Sequence, residues 1–436
     1  MTEQPAPQEA RLSQDPTSGA PHNMPARASK RRWLWGSSAV ILAVGIIWLA
    51  VASLRPARPI LPAGVSESDY ARAERDWKNR YHRRPDELDV ISWLAESAVN
   101  EGDLETAAAC FQRIPSSHPV YGRAARHQEG QILQKINRLC AAEQNLREFI
   151  RLESDSTQPQ HELLVDAIQR LRSILELELR FEERRALLQD MFRYGEGDLF
   201  DTLVYRFPSL LRWNGPAAVA RAEAALSSDP ECFEIRRAIA RYRTGQGRIE
   251  EAREILTACL REKPSDLPAF TYLLECEYER GGAEAIAEAV DRLPPPADDD
   301  PWLLLELRGQ VHNKKLQFNK AIDCFERVLR SDPANATCHQ GIAAACLGLH
   351  DLERRQQELR AAVLLTRIQT RLGRVVMHGP ALQTMIEIVE TCEELGLDDH
   401  ALGIARAGLR IYPRSGDLNA LVARLQKAKD AVDAIP

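Results

Sequence analysis

The chain has 436 residues, of which 44% are apolar and 28% charged, and its net charge is −6. That balance suits a folded chain, and it leaves neither the block of basic residues expected for nucleic-acid binding nor an acidic tail. The length fits two or three ordinary domains or one elongated repeat array.

Residues 1–32 are rich in Pro, Gln, Ser and Ala and lack apolar periodicity, which predicts a disordered cytoplasmic tail. From Trp33 to Leu54 the run WLWGSSAVILAVGIIWLAVASL carries no charge. As a helix it would extend about 33 Å, enough for a bilayer core of about 30 Å. Trp33, Trp35 and Trp48 bring indole rings that favour the water–lipid boundary. Arg27, Lys30, Arg31 and Arg32 outweigh Arg55 and Arg58 on the far flank. The expectation is a single-pass transmembrane helix of a bacterial cytoplasmic (inner) membrane, N-terminus inside and the remainder extracytoplasmic. The rival is a cleaved signal peptide ending in the small-x-small run Ala50–Ala52, but the apolar stretch exceeds the usual core of about 7–15 residues. Residues 55–65, including RPARPILPAG, read as a Pro-rich linker that holds the rest off the membrane.

Residues 66–436 are helical in pattern throughout, with no alternating strand signature. Prolines recur at a fixed interval: Pro85 and Pro119 are 34 residues apart, and so are Pro230 and Pro264. Small and apolar residues return upstream of them in the same spacing. The sets are Ala107, Phe111, Pro119; Ala218, Ala222, Pro230; Ala252, Leu256, Pro264; Ala321, Phe325, Pro333; and Ala401, Ala405, Pro413. Gly102, Gly247 and Gly396 each stand five residues before the first member. The physical reading is one helix hairpin per period, with a small residue permitting close approach, a larger one filling the gap and proline ending the second helix.

This pattern resembles the tetratricopeptide repeat family. Clear units fall near 88–121, 123–156, 233–266, 302–335 and 336–369, and weaker ones near 199–232, 267–300 and 382–415. Residues 157–198 depart from it, with Arg184 where a small residue is expected, and residues 366–381 read as an insertion. The resemblance implies an all-α, right-handed superhelical solenoid preceded by the membrane helix, with the first helix of each hairpin lining a concave groove. It also implies a scaffold that binds partner proteins or peptides. The groove candidates are His127, Gln131, Gln134 and Lys135 in one unit, Arg237 and Arg241 in another, and Gln310, Asn313 and Lys314 in a third. Together they suggest a polar, partly basic groove for an extended or acidic peptide. Glu306 and Ala344 stand where the family's carboxylate-clamping version would need Lys or Asn, which argues against that mode. The alternative function is a structural accessory subunit of a bacterial envelope assembly (secretion, pilus or polysaccharide machinery).

Nine cysteines are scattered singly, with no C-x-x-C, and read as small buried hydrophobes. Cys338, Cys346 and His350 have a spacing that could hold zinc, but Cys346 matches a packing position and His350 a turn. Cys324, between Asp323 and Phe325, has no His at hand to activate it. Neither H-E-x-x-H, a P-loop, G-x-S-x-G nor a dinucleotide fingerprint occurs. No enzyme activity, cofactor, metal or nucleic-acid partner is therefore expected.

Overall fold

The computed structural model describes residues 87–156, 159–210, 216–297 and 300–433, with the single positions Arg75, Asn79 and Arg83. The expected tail, membrane span and linker lie outside these residues. No described helix is long and apolar enough to cross a membrane.

The described residues form eighteen helices and no strand. In chain order they are α1 Leu88–Glu101, α2 Leu104–Gln112, α3 Gly122–Lys135, α4 Leu139–Ser154, α5 His161–Leu177 and α6 Phe181–Arg193. Then come α7 Leu199–Arg206, α8 Pro216–Ser228, α9 Phe233–Gly245, α10 Ile249–Glu262, α11 Leu267–Asp291 and α12 Trp302–Lys314. The chain closes with α13 Phe318–Ser331, α14 Ala336–Gly348, α15 Leu352–His378, α16 Leu382–Glu394, α17 Asp398–Ile411 and α18 Gly416–Asp433. Nearly every helix packs on its neighbours in sequence, as in a quasi-one-dimensional array.

Local chemistry sets the hairpins. Asp103, Asp266, Asn335 and Asp351 cap the helices that follow them by accepting a backbone N–H three residues on. The short turns inside the hairpins need one residue in the left-handed region. Gly102, Gly247 and Gly396 supply it, but Asn137, Leu179, Leu316 and His350 hold the same conformation with φ of 57–61°. Gly does this without strain and Asn at little cost, whereas Leu179, Leu316 and His350 bear it as strain.

Close approach follows the expected logic at Phe325, whose ring is wedged between α12 and α14. A methyl group on Gly309 would lie 2.6 Å from that ring, and one on Gly341 would collide with it as well. Two helices depart from the hairpin plan. Within α11 the backbone breaks at Gly282 (φ 69°, ψ −162°), and α15 runs on to His378 through the stretch read as an insertion.

The array is not a simple row of hairpins along its whole length. The segment α5–α7 folds back so that Leu188, Met191, Leu203, Val204 and Phe207 share one core with residues of α15 to α18. Arg410 of α17 donates to the Gly197 carbonyl, and Arg185 of α6 to that of Ser331. Part of the surface of the C-terminal repeats, where α7 packs on α17, is thus covered by the chain itself.

Candidate functional site

The groove residues of α3 are already engaged by α5. His127, 2% exposed, sits with Nε2 2.9 Å from Asp166 Oδ2, and Gln131 Nε2 donates to the same oxygen at 2.8 Å. Burial lowers the His127 pKa, against the pull of Asp166, so the ring is neutral at pH 7. Gln134 Nε2 donates to Ser173 Oγ (2.7 Å), and its Oε1 accepts from Arg170 (3.1 Å). Lys135 is exposed.

On α12, Gln310 is half-buried, while Asn313 Nδ2 donates to the Gly341 carbonyl at 2.8 Å. Lys314 is exposed and paired with Glu284. Glu306 is buried, where Asn335 Nδ2 donates to it at 2.5 Å.

Arg237 and Arg241, one turn apart on α9, line a cavity of about 500 Å³. First helices of three successive units, α9, α11 and α12, form one wall. The start of α6 and the Pro208–Ser209 turn form the other. Its apolar lining includes Phe181, Tyr272 and Trp302, with Pro208, Pro268 and Pro301 between them. The size and the mix of rings with a few charges are those of a ligand site.

The arginines at this cavity already face carboxylates, although the buried Nε of Arg237 has no hydrogen-bond partner. Arg237 Nη1 reaches both oxygens of Asp266 (3.1 and 3.0 Å), and Arg241 bonds Glu275 through Nε (2.9 Å) and Nη2 (3.2 Å). Arg241 also lies over the Tyr272 ring, 4.6 Å from its centroid. Burial works against the charge of Arg241, but the Glu275 carboxylate more than offsets it and raises the pKa. Arg180 bonds Glu143, Glu178 and Glu183. Glu178 is wholly buried; burial first, then the Glu143 charge, pushes its carboxyl up to about 8. Glu182, by contrast, is exposed at the cavity and makes no ion pair among the described residues.

Arg237 and Arg241 are therefore together at one site, whereas the α3 and α12 sets do not line it. Sequence reading missed the rings, because each also occupies a packing register of its own helix. One signal was available: Arg241 and Glu275 are 34 residues apart, one repeat period, and so face each other on adjacent first helices.

Two of the nine cysteines depart from the reading as buried hydrophobes. Cys140, on α4, and Cys232, preceding α9, form a disulfide across 92 residues, with Cα atoms 5.8 Å apart. The other seven are buried and form no disulfide. Burial pushes the Cys324 thiol up to about 11, which removes it as a nucleophile at neutral pH. Among the described residues, the group of three possible metal donors within reach of one another is Cys140, Asp229 and Cys232, whose sulfurs the disulfide occupies. Cys338, Cys346 and His350 do not form such a group.

Residues 214–266 match a family model described as tetratricopeptide repeat. No curated protein matches the chain. Among solved structures, the human IFIT1 dimer with m7Gppp-AAAA is similar at 12% identity, over 81% of this chain and 90% of that one, with a TM-score of 0.33. The APC/C hetero-tetramer Cut9–Hcn1 is similar at 12% identity, over 83% and 96%, TM-score 0.33. A tetratricopeptide repeat protein from Parabacteroides merdae is similar at 12% identity, over 70% and 98%, TM-score 0.27. At such TM-scores the paths of the chains diverge, and the ligands of those proteins are not carried over to this one.

Proposed function

From a chain that carries tetratricopeptide repeat sequence, we propose a membrane-anchored scaffold that binds a partner protein or peptide at the cavity between α6, α9, α11 and α12. The observation that carries this reading is the convergence of Phe181, Tyr272 and Trp302 on one cavity at the junction of three successive units. The anchor is the uncharged run Trp33–Leu54, and it confines the cavity to a membrane surface, raising a partner's effective concentration there. An extracytoplasmic position is supported by the heavier basic flank before that run and by the Cys140–Cys232 bridge, since disulfides persist in oxidising compartments.

A photo-crosslinking amino acid at position 302 of the full chain tests the site. It is expected to capture a discrete partner that the same probe at exposed Lys429 does not. Equal capture at both positions, or none at 302, refutes the reading. Protease protection in intact cells tests the topology, since an extracytoplasmic array is cut from outside.

The second reading is a structural accessory subunit of a bacterial envelope assembly. It is favoured by the α5–α7 segment, which packs α7 on α17 and ties the middle of the chain and the C-terminal repeats into one core, as suits a rigid spacer. Under that reading the chain co-purifies within one large complex that survives substitution of Trp302.

A further inference from the structure

We propose that the cavity takes a cationic side chain, Arg or Lys, carried next to an apolar residue on the partner polypeptide. This rests on the reading that the cavity binds a partner, and it names the chemistry of that partner. The sequence alone suggests the opposite, because Arg237 and Arg241 look like a basic platform for acidic peptide. Each already faces a carboxylate of α11 or its cap, Glu275 or Asp266, with the buried Nε of Arg237 left without a partner, and Arg180 is held by three. An incoming carboxylate would have to displace a neighbour already in place, or sit unpaired beside one, and both are costly.

The unmet charge at the cavity has the other sign. Glu182 is exposed, unpaired among the described residues, and close enough to Tyr272 that its charge bears on the phenol. Two further acids of the lining hold their cations loosely: Glu234 lies 3.8 Å from Lys263 and Asp300 3.5 Å from Arg308. Both distances exceed those of charge-assisted hydrogen bonds, about 2.7–2.9 Å. A guanidinium or ammonium at Glu182 therefore finds an acceptor without breaking an existing pair. Its aliphatic stem and the adjacent apolar residue can lie against Trp302 and the prolines, as long cationic side chains do on apolar surface.

The test is calorimetric titration of the full chain with N-acetyl-leucyl-arginyl-leucine amide and its glutamyl counterpart. The arginyl peptide is expected to bind about tenfold more tightly. Glu182→Gln should cut that preference to about threefold or less, and Glu182→Lys should reverse it. Glu182 is exposed and makes no ion pair among the described residues, so neither change threatens the fold. Equal binding of both peptides, no saturable binding of the arginyl peptide, or a preference unmoved by Glu182→Lys overturns the proposal. If any of these occurs while the probe at position 302 still captures a partner, the ligand class falls and the cavity stands. If that capture also fails, the cavity reading itself falls.

Discussion

Removing the Cys140–Cys232 bridge should cost the chain a large fraction of its stability. The bridge spans 92 residues and ties the start of α4 to the residue that precedes α9. In the chain-entropy account, closing a loop of that length removes roughly 15.6 cal/mol/K from the unfolded ensemble, or about 4.6 kcal/mol at 25 °C. Residual structure in the unfolded repeats makes this an upper figure. With a urea m-value of about 2 kcal/mol/M, the midpoint falls by about 2 M for the unit that spans α4 to α9. The measurement is urea unfolding by circular dichroism of the full chain, as the wild type and as Cys140→Ala/Cys232→Ala. A wild-type sample kept in dithiol reductant reports the same loss without any substitution. Repeat arrays unfold piecewise, so the loss appears in one transition rather than across the whole curve. Thiol titration in denaturant provides a second reading: seven of nine cysteines react before reduction and all nine after. A midpoint shift below about 0.3 M in both arms, or nine reactive thiols before reduction, refutes the reasoning.

Other substitutions probe the remaining features. His400 is buried where α17 meets α7, and burial first, then the Arg206 charge, presses its pKa down to about 4. Its folded pKa lies below the unfolded value of about 6.5, so its share of stability is whole above pH 6.5. That share, up to about 3 kcal/mol, is lost as pH falls towards 4. His400→Gln should flatten this slope in pH-dependent melting, and an unchanged slope would place the acid sensitivity elsewhere. Arg184 is 1% exposed, its guanidinium nitrogens make no hydrogen bond, and its nearest carboxylate, on Glu176, is 3.7 Å away. Burial lowers its pKa to about 10, so it stays charged at pH 7. Arg184→Met should raise stability by roughly 1–4 kcal/mol in chemical denaturation, and a loss would reveal that the charge is needed. Leu316→Gly, at a left-handed turn position, should gain up to about 1 kcal/mol, read as a higher melting temperature.

The hairpins were legible because sterics leave a trace in sequence: Ala321, Phe325 and Pro333 repeat where close packing and helix ends recur. The turns were legible only where Gly filled the left-handed position. Leu179 and Leu316 bear the same φ with no compositional mark; Leu179 is buried and held there by packing, whereas Leu316 is exposed and is held only by the turn itself. The return of α6 and α7 into the C-terminal core had no local signal, because a buried helix shows apolar residues without stating what covers them. Cysteine pairing is likewise open from sequence, as many connectivities fit one set of positions. For the site, the charged positions were visible and their neutralisation was not. Asp266 lies 29 residues beyond Arg237, a distance that only the superhelix converts to 3 Å.

The fold-back of α7 has a consequence for how the chain is made. Ordinary repeat arrays condense hairpin by hairpin as they leave the ribosome, each unit needing only the one before it. Here Gly197 waits for Arg410, 213 residues later. At roughly 5–20 residues per second, that is roughly 10–40 s during which Leu203, Val204 and Phe207 have no lid. The α6–α7 stretch is thus the part of the nascent chain that a chaperone has most reason to hold, and translation speed through α15 to α18 sets how long it must.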